Sequence, residues 1–355
     1  MAERARRQRL IIGAVVGVVI LGYLLWFPQQ HQPADVRLWT TAIYFGIAAM
    51  GLNLLTGYNG QVSIGHGAFF GIGAYTTAIL VTDHGWSLVA TLPVAAALAF
   101  LVGVAVGVPA LRVKGLYLAL VTLGLAVVFP DLTKKFVRGV GGTNLVRVPS
   151  LSLRPPEWAT GFAPQPDQWG FYLSLTLALL LLAGVWLIVR GRFGRALIAV
   201  RDHEAAATTV GVDLARTKVL AFALSALYAG LAGALSVQVT GIANAEKIGT
   251  FNLSILFLVA VVLGGTATVF GPLIGGFLVV MIQDQTTKFV ADPPILNCFL
   301  SGKQVLSPAI FGILLIVVMY FLPDGIVGGF RRLVHRVATR RRRVDSEPLA
   351  PVASH

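Results

Sequence analysis

Long apolar runs separated by short polar or basic segments fill most of this sequence. A helix that crosses a bilayer needs roughly 20 mostly apolar residues. Runs near that length occupy Leu10–Phe27, Leu38–Thr56, Val62–Thr82, Leu88–Pro109, Gly115–Phe129, Phe171–Val189, Val219–Thr240 and Leu306–Leu322. One further stretch, Leu253–Ile282, is interrupted by Gly264, Gly265, Gly271 and Pro272. The pattern predicts an all-α polytopic membrane protein of about 8–10 transmembrane helices, with a broken or re-entrant pair near 253–282. The Pro-rich segment Pro130–Gly170 reads as a long loop.

Charge fixes the expected orientation. Of 28 basic residues, 19 fall in four places: the N-terminus (Arg4 to Arg9), Arg112 and Lys114, the loop from Arg190 to Lys218, and the tail from Arg331 to Arg343. Cytoplasmic loops carry such an excess of Lys and Arg, so both termini are expected in the cytoplasm and Pro130–Gly170 outside. That parity holds only if Leu253–Ile282 enters and leaves on the same side. The turn then falls in the Gly-Gly-Thr-Ala-Thr-Val-Phe-Gly-Pro run at 264–272. No small-x-small cleavage site follows the first run, so it reads as an uncleaved helix.

Composition narrows the class. Apolar residues make up 56% of the 355 positions and charged residues only 12%, about half the charge a soluble domain carries. The net charge of +13 invites a nucleic-acid partner, but the basic residues sit in short loops between apolar runs, and a bilayer explains them without one. The six histidines never fall at metal-ligand spacing, and no metal or other cofactor is expected. Gly302-Lys303 is followed by Gln304 rather than Ser or Thr, so no phosphate-binding P-loop forms there. No hydrolase constellation occurs, and the reading is of a non-enzymatic chain. Cys298 is the single cysteine. The runs themselves lack internal carboxylates and Lys or Arg; His66 is the lone titratable candidate, which argues against a carrier driven by an ion gradient.

Three segments carry candidate chemistry. In the first, Asn53 to Tyr75, glycines crowd polar residues at the mouth of a run. Asn53, Gln61 and His66 are candidates to line a polar path, Gly67 and Gly71 form a small-xxx-small pair, and Tyr75 closes the segment. In the second, Arg201 to Asp213, Asp202 reads as an N-cap, Glu204 as a first-turn acid, Ala205, Ala206 and Ala207 as a small face that fits a groove, and Gly211 as the C′ residue. This predicts a loop helix of about two turns, with Glu204 also free to meet a basic residue of a partner. The third is the break itself, Gly264, Gly265, Gly271 and Pro272, where irregular backbone at membrane depth is tolerated only inside protein or along a cavity.

Together with Gly115-Leu116-Tyr117-Leu118-Ala119-Leu120-Val121-Thr122-Leu123-Gly124, these segments resemble the branched-chain amino-acid permease family of ABC importers. The segment from Gly115 and the long loop after it resemble the M-type subunit more than the H-type. The resemblance spans roughly residues 38–325, between an N-terminal segment (1–37) and a basic tail (326–355). It implies that 201–211 is similar to the loop that docks in an ATPase subunit, although Gly211 comes one residue late and no Ile-x-Leu-Pro follows. It further implies two ATPase subunits, a second permease subunit of the H-type, a soluble binding protein that delivers leucine, isoleucine or valine, and a bacterial cytoplasmic membrane. The residues by themselves leave open a permease for another small solute such as urea or amides, or a stand-alone channel.

Overall fold

In the computed structural model, residues 22–111, 115–137, 145–149 and 153–291 are described, with isolated positions at 17, 19 and between 312 and 329. Most of the runs Leu10–Phe27 and Leu306–Leu322, together with Cys298 and the basic tail, lie outside the described residues. Besides helical residues at 22–30 and 325–329, ten helices are numbered: α1 (Pro33–Asn53), α2 (His66–His84), α3 (Leu88–Ala110), α4 (Leu116–Phe136), α5 (Pro166–Arg190), α6 (Arg192–Asp202), α7 (Glu204–Thr209), α8 (Leu214–Thr240), α9 (Phe251–Gly264) and α10 (Gly271–Ala291). Two three-residue strands, β1 (Leu145–Arg147) and β2 (Ile242–Asn244), pair antiparallel with Val146 opposite Ala243. Among the described residues this is an all-α membrane bundle, with five helices long and apolar enough to cross a membrane.

The bundle is organised around α8, which packs on α1, α2 and α3. Apolar packing gives helices little reason to associate in lipid, so close contact comes from small residues that let backbones meet. A Cβ added at Gly73 of α2 would overlap the Gly230 carbonyl of α8, and one at Gly233 of α8 would overlap the Phe70 carbonyl of α2. The same device joins α1 to α10 at Gly46 and Gly276, and α9 to α10 at Gly264, Gly271 and Gly275.

The interrupted run is a helix pair, as its glycines predict. At 14 residues, α9 is about 21 Å long, short of the ~30 Å hydrocarbon core. The segment between α8 and α9, 241–250, contains β2.

Three boundaries differ from expectation. The Pro130–Gly170 segment is not all loop: α4 runs through Pro130 to Phe136, and α5 begins at Pro166. Proline inside a membrane helix is tolerated more readily than in a soluble one, and Pro130 interrupts α4 without ending it; the Thr133 hydroxyl also donates to the Pro130 carbonyl at 2.7 Å. The run beginning at Val62 becomes helical only at His66. Between α1 and α2, Leu54–Tyr58 forms a single π-helical turn, and 59–65 is irregular, with Gly60 at φ +74.

Candidate functional site

The loop between α5 and α8 holds two short helices. The N-cap of α7 is His203 and not Asp202: the His203 Nδ1 accepts from the Ala206 N–H at 3.2 Å, while Asp202 closes α6. His203 sits in extended backbone, which aims its ring at the helix start, and that is the geometry an N-cap needs. The C-terminus follows the sequence reading. Gly211 adopts φ +85, its N–H donates to the Thr208 carbonyl, and the Val212 N–H donates to the Ala207 carbonyl, both at 3.0 Å. This pair of bonds is a Schellman closure. Glu204 finds its basic partner within the chain: Lys218 Nζ lies 2.6 Å from Glu204 Oε1, and the lysine side chain is only 7% exposed. The pair staples α7 to the foot of α8. Ala205 and Ala206 stand exposed on α7, and Ala207 is buried beneath them.

A second group surrounds the start of α2. Thr122 of α4 holds the irregular segment before α2, its hydroxyl accepting from the Ile64 N–H at 3.0 Å. Ser254 of α9 accepts from the Gly67 N–H at 2.9 Å, so the first turns of α2 and α9 lie side by side. Gly71 faces Phe129 of α4 and the Gly249 backbone, and Tyr75 meets Phe129 with ring centroids 6.1 Å apart. His66 is fully buried. Its Nε2 donates to the Ala48 carbonyl at 2.8 Å, which leaves Nδ1 as acceptor for the Ser225 hydroxyl at 3.4 Å. The ring also meets Phe257 edge-on at 5.7 Å. It therefore ties α1, α2, α8 and α9 together. Asn59, Gln61 and Ser63 are also buried, and side-chain polar atoms on each have no hydrogen-bond partner among the described residues.

The third group is the break between α9 and α10. Gly265 takes φ +110 and Ala267 φ +55, a region a residue with a Cβ adopts at a cost of about 1–3 kcal/mol. Asn53 stabilises it from the end of α1: its Nδ2 donates to the Thr268 carbonyl at 2.8 Å, and its Oδ1 accepts from the Ala267 N–H at 2.9 Å. Thr268 accepts from the Gly271 N–H at 3.2 Å, and Pro272 follows in the first turn of α10, where its missing donor is harmless.

The structure thus divides the sequence-predicted path residues between two places. His66, Gly67, Gly71 and Tyr75 gather at the start of α2, next to Gln61 of the entering segment. Asn53 joins Gly264, Gly265, Gly271 and Pro272 at the break. Thr122, Ser254, Thr268, Arg201 and Lys218 were not singled out by sequence reasoning. All but Lys218, which reaches Glu204 14 positions away, make their contacts across more than 50 positions, and only the small polar types inside apolar runs hinted at Thr122 and Ser254.

A multi-pass helical bundle with irregular backbone inside it, and a capped helix projecting from a basic loop, defines a membrane transport subunit. A profile of the family described as "Branched-chain amino acid transport system / permease component" matches residues 36–322. The chain is 29% identical over 339 residues to the high-affinity branched-chain amino acid transport system permease protein LivM of Escherichia coli K12, covering 90% of this chain and 75% of the relative. It is 26% identical to LivH of the same organism, with 86% and 96% covered. A shorter match, 37% identical over 137 residues, reaches the autoinducer 2 import system permease protein LsrC of Klebsiella pneumoniae, covering 38% of this chain and 39% of that one. No solved structure matches the chain. The chain belongs to the branched-chain amino-acid permease family of ABC importers, and within it resembles the M-type.

Proposed function

We propose that this protein is the M-type permease subunit of an ATP-driven importer that carries leucine, isoleucine and valine across a bacterial inner membrane. In this reading a soluble binding protein delivers substrate from outside. An H-type permease subunit completes the path, and two ATPase subunits supply the energy. Both termini and the α6–α7 loop face the cytoplasm, and 137–165 faces outward. The chain has no catalytic role of its own. The observation that carries the reading is α7: a six-residue helix, closed at both ends and stapled by Glu204–Lys218, is a rigid peg with a small alanine face. An isolated helix this short is unstable in water, so its construction points to a docking role that a stand-alone channel does not need.

Asp202, Glu204, Ala205, Ala206, Ala207 and Gly211 present or support the docking face. The residues Asn53, Gln61, His66, Gly67, Gly71, Tyr75, Gly264, Gly265, Gly271 and Pro272 shape the path or hold the helices that move along it. The path is free of fixed charge, which suits a zwitterion of zero net charge. The decisive test is uptake into proteoliposomes containing the complete transporter. Leucine should accumulate only with ATP inside the ATPase compartment and binding protein on the opposite side. Uptake without either component would return a channel. Accumulation of urea or an amide in place of leucine would return the other-solute reading.

A further inference from the structure

The cytosolic loop and the helix break are joined by one unbroken set of contacts. Arg201, near the end of α6, donates from Nη1 to the Gly57 carbonyl at 3.1 Å. Asp202 orients that guanidinium, with its Oδ1 3.0 Å from Nε and 2.9 Å from Nη2. The stem of Arg201 lies on Gly60, where an added Cβ would come within 2.8 Å of its Cγ. Gly57 belongs to the π-helical turn Leu54–Tyr58. On its other side, an added Cβ would overlap Asn53 Oδ1 and press on the Ala267 backbone nitrogen at 2.7 Å. Asn53 in turn grips Ala267 and Thr268. So the π turn is held between the coupling loop and the strained break, with no free space on either side.

Two features mark this turn and the segment after it as a functional element. π-helical turns are rare and gather at functional sites. Immediately after it, Asn59, Gln61 and Ser63 hold buried polar atoms that have no partner among the described residues, and such groups call for an explanation.

We infer that Arg201 is a positioning residue for energy coupling. Through Gly57 and Asn53 it makes α6, α7, the π turn and the α9–α10 break move as one body when the ATPase subunits draw α7 inward. The inference rests on the proposed importer and adds the route by which its energy reaches the path. Asp202 acts in the same route by holding the guanidinium, not as a helix cap.

The test uses the complete transporter in proteoliposomes, with leucine uptake and ATP hydrolysis measured in the same vesicles. Arg201→Gln should lower leucine moved per ATP by about tenfold, a coupling change of ordinary size, while the subunits still copurify and hydrolysis persists. Arg201→Lys should recover part of the ratio, since an ammonium also donates to a carbonyl. An unchanged ratio in Arg201→Gln overturns the inference, whereas a parent transporter that takes up no leucine overturns the importer reading instead. A second measurement needs no loss of the joint. With Cys298 replaced, spin labels at Thr209 and Val62 should keep a fixed separation between nucleotide-free and ATP-bound states, while labels at Val62 and Val108 of α3 change theirs. A Thr209–Val62 separation that shifts as far as Val62–Val108 overturns the single-body movement.

Discussion

Two sets of helices in this bundle follow opposite rules. In α1 with its π turn, and in α8, 78% of the most apolar stretch is buried within the chain; in α3 and α5 the figure is 28%, and in α4 33%. Yet α3 and α5 are the more apolar by composition, rich in Leu and Val, while α8 carries Ser225, Tyr228, Ser236 and Gln238 among glycines and alanines. A soluble protein would bury the leucines and expose the serines. In lipid the acyl chains already satisfy leucine, so burial selects residues that pack backbone on backbone or need a hydrogen-bond partner. Tyr228 illustrates the second demand: its hydroxyl donates to the Leu181 carbonyl at 2.9 Å, which ties the inner helix to α5.

The comparison is broken most directly at the glycines. Gly73→Ala puts a Cβ into the Gly230 carbonyl; backbone cannot yield as a side-chain tip does. The expected cost is about 3 kcal/mol or more, at the upper end of overpacking, read as loss of monodisperse protein in detergent and of uptake. Gly124→Ala, on the exposed face of α4 with nothing within 4 Å of the new Cβ, should leave both unchanged. Equal tolerance at the two positions would remove the distinction between inner and outer helices.

The foot of α8 gives the next largest effect. Lys218 is a buried cation held by Glu204, and removing one partner of such a pair strands the other's charge, at a cost of about 3–5 kcal/mol when burial is complete. Glu204 is 31% exposed, so Glu204→Lys should fall somewhat below that range in stability while abolishing ATP-driven uptake. The charge-swapped double variant Glu204→Lys with Lys218→Glu should recover insertion and part of the uptake. Failure of the swap to recover anything would show that Glu204 contacts the ATPase directly.

Gly211→Val tests the other end of the same peg. A β-branched residue at φ +85 loses about 1–2 kcal/mol against glycine and loosens the closure of α7. Uptake should fall several-fold with the chain still inserted, a smaller effect than at Glu204 because the strain is confined to one turn. Wild-type uptake in Gly211→Val would mean that α7 tolerates fraying and is no rigid peg.

Sequence alone showed the locally encoded features. The apolar runs announced α1, α3 and α8 to within a few residues, the glycines at 264–272 announced the break, and Gly211 announced the end of α7. Local chemistry determines each of these: length against bilayer thickness, loss of side chains at a turn, a positive φ. What stayed hidden was set by distant partners. Arg201 reads as one more cytoplasmic arginine until its bond to Gly57, 144 positions away, is seen. Asn53 read as a path residue, and the structure shows it clamping Ala267 and Thr268. Pro130 misled because a proline that would end a soluble helix is carried inside a membrane one, and α4 continues to Phe136.

The smallest effects belong on the outer helices, and they sharpen the comparison by dividing lipid from partner. Leu101 of α3 and Leu180 of α5 are 62% and 64% exposed in the isolated chain. In lipid, truncating either to alanine exchanges one apolar contact for another, so the stability change should stay within about 0.5 kcal/mol, the usual range for surface substitutions. A face covered by the second permease subunit behaves differently, because there the leucine fills a protein surface and its removal leaves a gap that lipid cannot enter. Leu101→Ala and Leu180→Ala are therefore compared by copurification of the partner permease, alongside thermal stability of the chain alone. Both helices should leave the chain's own stability unchanged. If one variant alone also lowers recovery of the partner, that helix carries the subunit interface, and its low burial reflects the missing subunit, not lipid. If both lower the chain's own stability by more than 1 kcal/mol, α3 and α5 pack as inner helices do, and the division drawn between the two sets fails.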